Sequence, residues 1–290
     1  MREGSRDYGK SVRARLLTLA KTNNIYYQTV LTRYFQERLL YRLSQTPYRN
    51  NFLLKGGALM YAYEHLAARP TLDIDFLGVD ISNDGENIAR TFSLICSVPC
   101  EEDGVIFDAK HISFTHILEF REYRGIRLTL PVRMDTISQM FTMDIGFGDK
   151  ITPAPIHIDY PQLLNDMPGV NVMAYNIETV IAEKAHTLID LAGENSRMKD
   201  YYDLYTILSS KKYNPELLSQ AIKSTFRNRN TKYDKGTMFF RPGFTDDKRM
   251  QIRWQAFKKR IALAEELTFK DMTLFLQESL LPYWGAFGKQ

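Results

Sequence analysis

Residues 52–78 read FLLKGGALMYAYEHLAARPTLDIDFLG, and this stretch decides the fold. Phe52, Leu53 and Leu54 form a short apolar run suited to a buried strand, which Gly56 and Gly57 interrupt before the helix-forming composition of Ala58 to Ala68. Pro70 disfavours a helical conformation at Arg69, so the chain is expected to turn there and return as a second strand over Leu72 to Leu77. Strand side chains alternate between faces, which predicts Leu72, Ile74 and Phe76 in the core and Asp73 with Asp75 on the opposite face.

Two unpaired carboxylates in an apolar strand would be costly, and ligation of a hard divalent cation together with a nucleotide's phosphates would account for them. Gly56 and Gly57 leave room for a triphosphate, to which the following helix offers free N–H groups and its positive dipole end. A D-x-D or a Gly-Gly alone often marks nothing but a solvated edge or a turn. Here one chain reversal brings both signals to the same sheet edge.

The chain has 290 residues, 44% hydrophobic and 12% aromatic, enough for a large core and a second lobe and too apolar for a disordered segment. No apolar run has the length of a membrane span and no apolar segment follows the polar N-terminus, so a cytoplasmic protein without membrane association is expected. Cys96 and Cys100 are too few for a disulfide scaffold or a zinc site and read as reduced and structural. The net charge is +4, unevenly spread: residues 1–50 carry +7, residues 223–260 carry +9, and residues 51–222 carry −10. An acidic centre between basic flanks fits a metal-bearing site on a polyanion-binding protein, although solvated helices also produce such runs.

Two helices are expected within residues 8–46, the second with Leu31, Phe35, Leu39 and Leu43 on a core stripe and Arg33, Arg38 and Arg42 in solvent. A helix over Asn83 to Cys96 and β character from Val105 to Ile158 follow. In the last of those strands Asp144 again lies among apolar neighbours, and it is the candidate third acid, able to ligate metal and help deprotonate an attacking hydroxyl. Asp149, after Gly146 and Gly148, reads as a solvated turn acid.

From Asn176 the pattern is helical. Lys184 falls on the apolar stripe of Ile177, Val180, Ile181, Leu188 and Leu191, either snorkelling to water or meeting an anion. Ser196 is placed to cap a helix over Arg197 to Leu208, whose Asp200 and Asp203 share one side and offer Lys184 a partner. If Lys184 is functional, its truncation to alanine is expected to reduce turnover strongly and to destabilise the fold little, whereas a snorkelling lysine would do the reverse. The basic segment beyond Lys212 includes Arg227, Arg229, Lys232 and Arg253 as candidate nucleic-acid contacts, with Phe226, Tyr233, Phe239, Phe240, Trp254 and Phe257 as candidate base platforms or core. The lobe boundary is expected near residues 160–175, drawn as lobes 1–165 and 166–290.

The segments K-G-G-A-L (55–59), R-P-T-L-D-I-D-F (69–76), D-I-G-F-G-D (144–149), E-T-V-I-A-E-K (178–184) and N-S-R-M-K-D-Y-Y-D-L (195–204) resemble the motifs of the AbiEii/AbiGii nucleotidyltransferase toxin family, which includes MenT-like toxins and belongs to the polymerase-β-like superfamily. The resemblance implies an α/β (α+β) nucleotidyltransferase fold, a mixed β-sheet flanked by helices, followed by a C-terminal helical lobe. It also implies a toxin of a bacterial toxin–antitoxin or abortive-infection system that uses a nucleoside triphosphate and Mg2+ or Mn2+ and acts on RNA, notably the tRNA 3′ end, with a separately encoded winged-helix antitoxin. On this reading Asp73, Asp75 and Asp144 bind metal, Lys55, Gly56 and Gly57 face the triphosphate, and Lys184 with Asp200 completes a second-lobe site. Ala58 stands where many superfamily members have a phosphate-contacting serine, so that hydroxyl contact is absent or comes from elsewhere, with Lys55 a candidate for part of it. A silent RNA- or nucleotide-binding module, a metal-dependent phosphohydrolase and nucleotidyl transfer to protein remain open on the residues alone.

Overall fold

The expected strand, glycine turn, helix and strand are present in the computed structural model, which describes residues 7–119, 123–263 and 266–289. The chain divides into two compact units, Met1–Gly148 with Ile156–Ala174, and Asp149–Pro155 with Tyr175–Gln290. The first unit runs on to Ala174 because the last hairpin returns to the sheet.

In the first unit α1 (Tyr8–Thr22) and α2 (Tyr27–Ser44) precede β1 (Phe52–Lys55), α3 (Gly56–Glu64), β2 (Asp73–Gly78) and α4 (Gly85–Cys96). The strands β3 (Ile106–Phe107), β4 (Ser113–Glu119), β5 (Tyr123–Met134), β6 (Ile137–Phe147), β7 (Ile156–Tyr160) and β8 (Val170–Ala174) complete the unit. The sheet is mixed, in the order β3, β5, β6, β2, β1, β8, β7, with β4 also on β5. β2 runs parallel to β6 and β1 parallel to β8, while β5 and β6 form a hairpin across the two-residue turn Asp135-Thr136. One face of β5 and β6 is core, with Ile126, Leu128, Leu130, Val132, Phe141, Met143 and Ile145 buried. α4 contributes Phe92, whose ring lies 4.7 Å from Phe52 and 5.9 Å from Phe76, an aromatic cluster that locks helix to sheet.

α2 departs from its expected amphipathicity. Leu31, Phe35, Leu39 and Leu43 are buried as the stripe predicts, but Arg33, Glu37, Arg38 and Arg42 are buried as well. An i+4 stripe identifies one covered face; this helix is covered on all sides, so its charges need internal partners. Arg42 makes a two-pronged contact with Asp103 at 2.6 and 3.3 Å and donates to the Val105 carbonyl. Arg38 pairs with Glu37 at 2.6 Å and reaches the Pro168 carbonyl, and Arg33 donates to the Ala68 carbonyl and stacks over the Tyr61 ring. Glu37 also accepts from the Leu163 N–H at 2.8 Å. Burial pushes its carboxyl up to about 7 despite Arg38 and that N–H.

The second unit is helical: α5 (Ile177–Leu191), α6 (Met198–Ser210), α7 (Pro215–Asn228), α8 (Lys248–Ile261) and α9 (Phe269–Phe287). Its core takes most of the aromatics considered as base platforms, since Phe226, Phe239, Trp254 and Phe257 are buried, and Tyr233, although exposed, lies 4.9 Å from Trp284. Ser196 does not cap α6. Asn195 instead accepts from the Arg197 N–H at 2.7 Å, an Asx turn one residue earlier. The segment 149–155 belongs here because Thr152 exchanges hydrogen bonds with the Thr179 hydroxyl at 3.1 Å and Asn176 donates to the Ala154 carbonyl. No described helix is long and apolar enough to cross a membrane.

Buried His186, with Phe226 5.5 Å from its ring, is held neutral: burial, then the nearby Arg229 charge, lower its pKa to about 4, with Asp149 opposing. The unfolded chain takes up this proton near pH 6.5 while the folded chain does not, so the stabilisation is present above 6.5 and lost as pH falls towards 4. The stability advantage of the wild type over His186→Gln should therefore shrink by about 2 kcal/mol between pH 7.5 and pH 5. Urea midpoints at the two pH values measure it, and an unchanged difference would show that His186 does not titrate in this way.

Candidate active site

The backbone register assembles the acids. In β2, Ile74 and Phe76 are fully buried while Asp73 and Asp75 take the other face, and the parallel pairing sets Asp75 opposite Asp144 and Asp73 opposite Thr142. Leu72 is not part of the inward set; it precedes the strand and is 78% exposed, because pairing begins only at Asp73. One carboxylate oxygen from each of Asp73, Asp75 and Asp144 lies within 4.8 Å of the others. The Thr71 hydroxyl donates to Asp73 at 2.8 Å, and Gln36 of α2 fixes the Asp73 carbonyl at 2.9 Å. Across the hairpin, Arg127 stands opposite Asp144 and grips both its oxygens, Nε at 2.8 Å and Nη2 at 2.6 Å. The Asp144 hydrogen bond raises the Arg127 pKa against its partial desolvation, and the charges of Asp144, Asp73 and Asp75 add to the effect.

The glycine pair adjoins this cluster. Gly56 has φ +66°, and a Cβ there would sit 1.9 Å from a carboxylate oxygen of Asp75; a Cβ on Gly57 would meet Thr71 at 2.8 Å. Glycine is therefore required by the carboxylate itself at position 56 and by its Thr71 neighbour at 57. Lys55 is opposite Asp75 in the β1–β2 ladder, and no side chain caps the N-terminus of α3. Ala58 is wholly buried, its carbonyl accepting from Tyr160 at 3.1 Å. Three carboxylates presented from fixed strands form an all-oxygen donor set, which fits Mg2+ or Mn2+ and not a soft metal.

In the helical unit, Lys184 meets the anions that its stripe position called for, Asp200 and Asp203, each at 2.8 Å. The lysine is 11% exposed and both aspartates are buried; Arg197 adds a second contact to Asp200 at 2.8 Å. Burial would raise the Asp200 pKa, but Lys184 and then Arg197 outweigh it and bring it below the usual carboxylate range. Of the basic candidates, Arg227 and Lys232 are exposed. Arg229 is 18% exposed and pairs with Asp149 at 2.8 Å and Glu183 at 3.5 Å, so Asp149 is a partly buried anchor and not a solvated turn acid. Arg253 donates to the carbonyls of Gly193 and Asn195, both at 3.1 Å. Arg127 and Thr71 were missed by the sequence reading. Counting back from the Asp135-Thr136 turn places Arg127 opposite Asp144, but only once that turn is recognised.

The sequence model of the family described as nucleotidyl transferase AbiEii toxin, type IV TA system, matches residues 38–278. Among solved structures, one described as a candidate nucleotidyltransferase from H. pylori is 14% identical, with 91% of this chain and 98% of that chain covered and a TM-score of 0.50. The structure of JHP933 from Helicobacter pylori is 16% identical, with 91% and 94% covered and a TM-score of 0.50. No curated protein matches.

Both aspartates that bond Lys184 are buried, which adds a stability cost to the loss of turnover expected on truncation. Lys184→Ala leaves two buried carboxylates without their shared cation and should cost about 3–5 kcal/mol of stability. Denaturant melts of the variant test this; a loss below about 1 kcal/mol would show that the aspartates rehydrate freely.

Proposed function

The chain belongs to the AbiEii family of nucleotidyl transferase toxins of type IV toxin–antitoxin systems, and we propose that it transfers a nucleotidyl group from a nucleoside triphosphate to an RNA hydroxyl, the 3′-terminal ribose of a tRNA, in the cytoplasm. The observation that carries this reading is the convergence of Asp73, Asp75 and Asp144 beside a glycine pair with no room for side chains.

In the proposed reaction the acceptor oxygen bonds to the α-phosphorus, the bond from that phosphorus to the β-bridging oxygen breaks, and pyrophosphate leaves. Asp73, Asp75 and Asp144 hold Mg2+ or Mn2+. A cation bound there supplies positive charge to the phosphoryl oxygens as charge redistributes. Asp144 accepts the acceptor's proton. The Gly56 and Gly57 backbone with Lys55 receives the triphosphate, Lys55 taking the place of the hydroxyl that Ala58 lacks. Lys184, oriented by Asp200, is the helical unit's contribution to turnover. Arg227 and Lys232 bind acceptor phosphates, while the internal bonds of Arg229 and Arg253 assign those two to structure first. The antitoxin implied by the family is proposed to be a separate winged-helix protein.

Asp73→Asn and Asp75→Asn, each isosteric, should abolish transfer of labelled nucleotide to tRNA with unchanged melting temperature or a small rise. Oxidising the tRNA's terminal ribose beforehand should abolish labelling in the wild type. Full transfer by both variants would remove the metal role; label on protein, or pyrophosphate release without any acceptor, would replace the RNA assignment with protein modification or hydrolysis.

Acceptor binding should also depend on salt. Arg227→Ala with Lys232→Ala should flatten the plot of log affinity against log salt by about 0.7 per lost contact for a single strand. An unchanged slope would exclude both residues from the RNA surface.

A further inference from the structure

Arg127 carries a charge that the proposed reaction does not use. It is 46% exposed, so the core does not require it, yet its guanidinium engages both oxygens of Asp144 in a fork-to-fork contact. The same carboxylate lies within 4.8 Å of its two neighbours, where three negative charges repel one another. The hairpin register puts Arg127 on the acids' face of the sheet, since Arg127 pairs with Asp144 and Asp144 with Asp75. The guanidinium thus brings to these acids part of the positive charge that a divalent ion would bring.

We infer that Arg127 is a positioning residue that competes with the divalent cation for Asp144, neutralising the acids while the cation is absent and yielding part of its two-pronged hold when the cation binds. The inference rests on the metal reading given above. An arginine that merely steadied Asp144 for the ion would have the opposite effect, because its loss would loosen a ligand and weaken binding. Competition makes removal of the arginine strengthen binding, through lost repulsion and a freed carboxylate. Metal loading would then be coupled to triphosphate arrival, whose negative charge gives the displaced guanidinium a new partner.

The test is a titration of Mn2+ into the full chain without nucleotide, with free Mn2+ read by electron paramagnetic resonance. Arg127→Gln should bind Mn2+ about tenfold more tightly than the wild type, the size expected for removing one nearby solvated positive charge. Arg127→Lys, which keeps the charge and loses the fork, should fall between the two. Asp144→Asn added to Arg127→Gln should erase the gain. Binding by Arg127→Gln that is equal to or weaker than wild type overturns the competition. If Asp73→Asn and Asp75→Asn bind Mn2+ as the wild type does, the metal reading itself fails and the inference falls with it; if they lose Mn2+ while Arg127→Gln gains nothing, only the inference fails.

Discussion

The pairing of β2 with β6 in the register that sets Asp75 beside Asp144 is the constraint on which the site depends. Side chains alternate strictly along a strand, so a one-residue slip would turn Asp144 into the core and bring Met143 and Ile145 to the acids' face. The register is held from both sides. β6 is tied to β5 through the short turn at Asp135-Thr136, and β2 is tied to β1 from Phe52 opposite Gly78 to Lys55 opposite Asp75. Buried residues on each of these strands, alternate ones on β5 and β6 and three in a row on β1, penalise any shift, and the acids inherit their separation from that packing.

The two units solve the same electrostatic problem alike. In each, carboxylates are fixed by short side chains on regular elements, and a long cationic side chain reaches them: Arg127 to Asp144 in the sheet unit, Lys184 to Asp200 and Asp203 in the helical unit. An aspartate has few rotamers and keeps the position that its backbone dictates, whereas arginine and lysine adjust at a larger entropic cost. Exposure separates the two cases. The Lys184 cluster is sealed, so its ion pairs are bound up with stability, while Arg127 faces solvent and contributes little to the fold.

Much of this was legible in the sequence. The strand, turn, helix and strand around Gly56 and Gly57, the shared face of Asp73 and Asp75, the addition of Asp144 and the partnership of Lys184 with Asp200 and Asp203 all follow from local periodicity and helical spacing. What periodicity could not supply was the environment on the far side of an element. α2 shows an ordinary one-sided stripe, and its arginines read as solvated because their partners Asp103, Leu163 and Pro168 lie far away in the chain. By sequence Arg229 is one of a row of basic residues; its partner Asp149 lies 80 positions earlier, out of reach of any local rule. Alternation alone turns Leu72 inward, but pairing begins only at Asp73, so Leu72 lies outside the range where that rule holds. Each error extends a local rule past the range over which local contacts decide the outcome.

The charges buried along α2 also bear on the order in which the molecule can assemble during synthesis. Glu37 waits for the Leu163 N–H, 126 positions later, Arg38 for the Pro168 carbonyl, 130 later, and β1 for its parallel neighbour at Ala174. A growing chain that has just passed Phe147 already contains all three acids, yet α2 still lacks these closing contacts. Gln36 on that helix also fixes the Asp73 carbonyl, so the seating of β2 is linked to contacts that β7, β8 and the segment between them provide. The closing contacts of α2 thus come from a stretch of chain that lies beyond all three acids, so the acid-bearing strands and the helix packed on them are completed from opposite ends of the sheet unit's sequence.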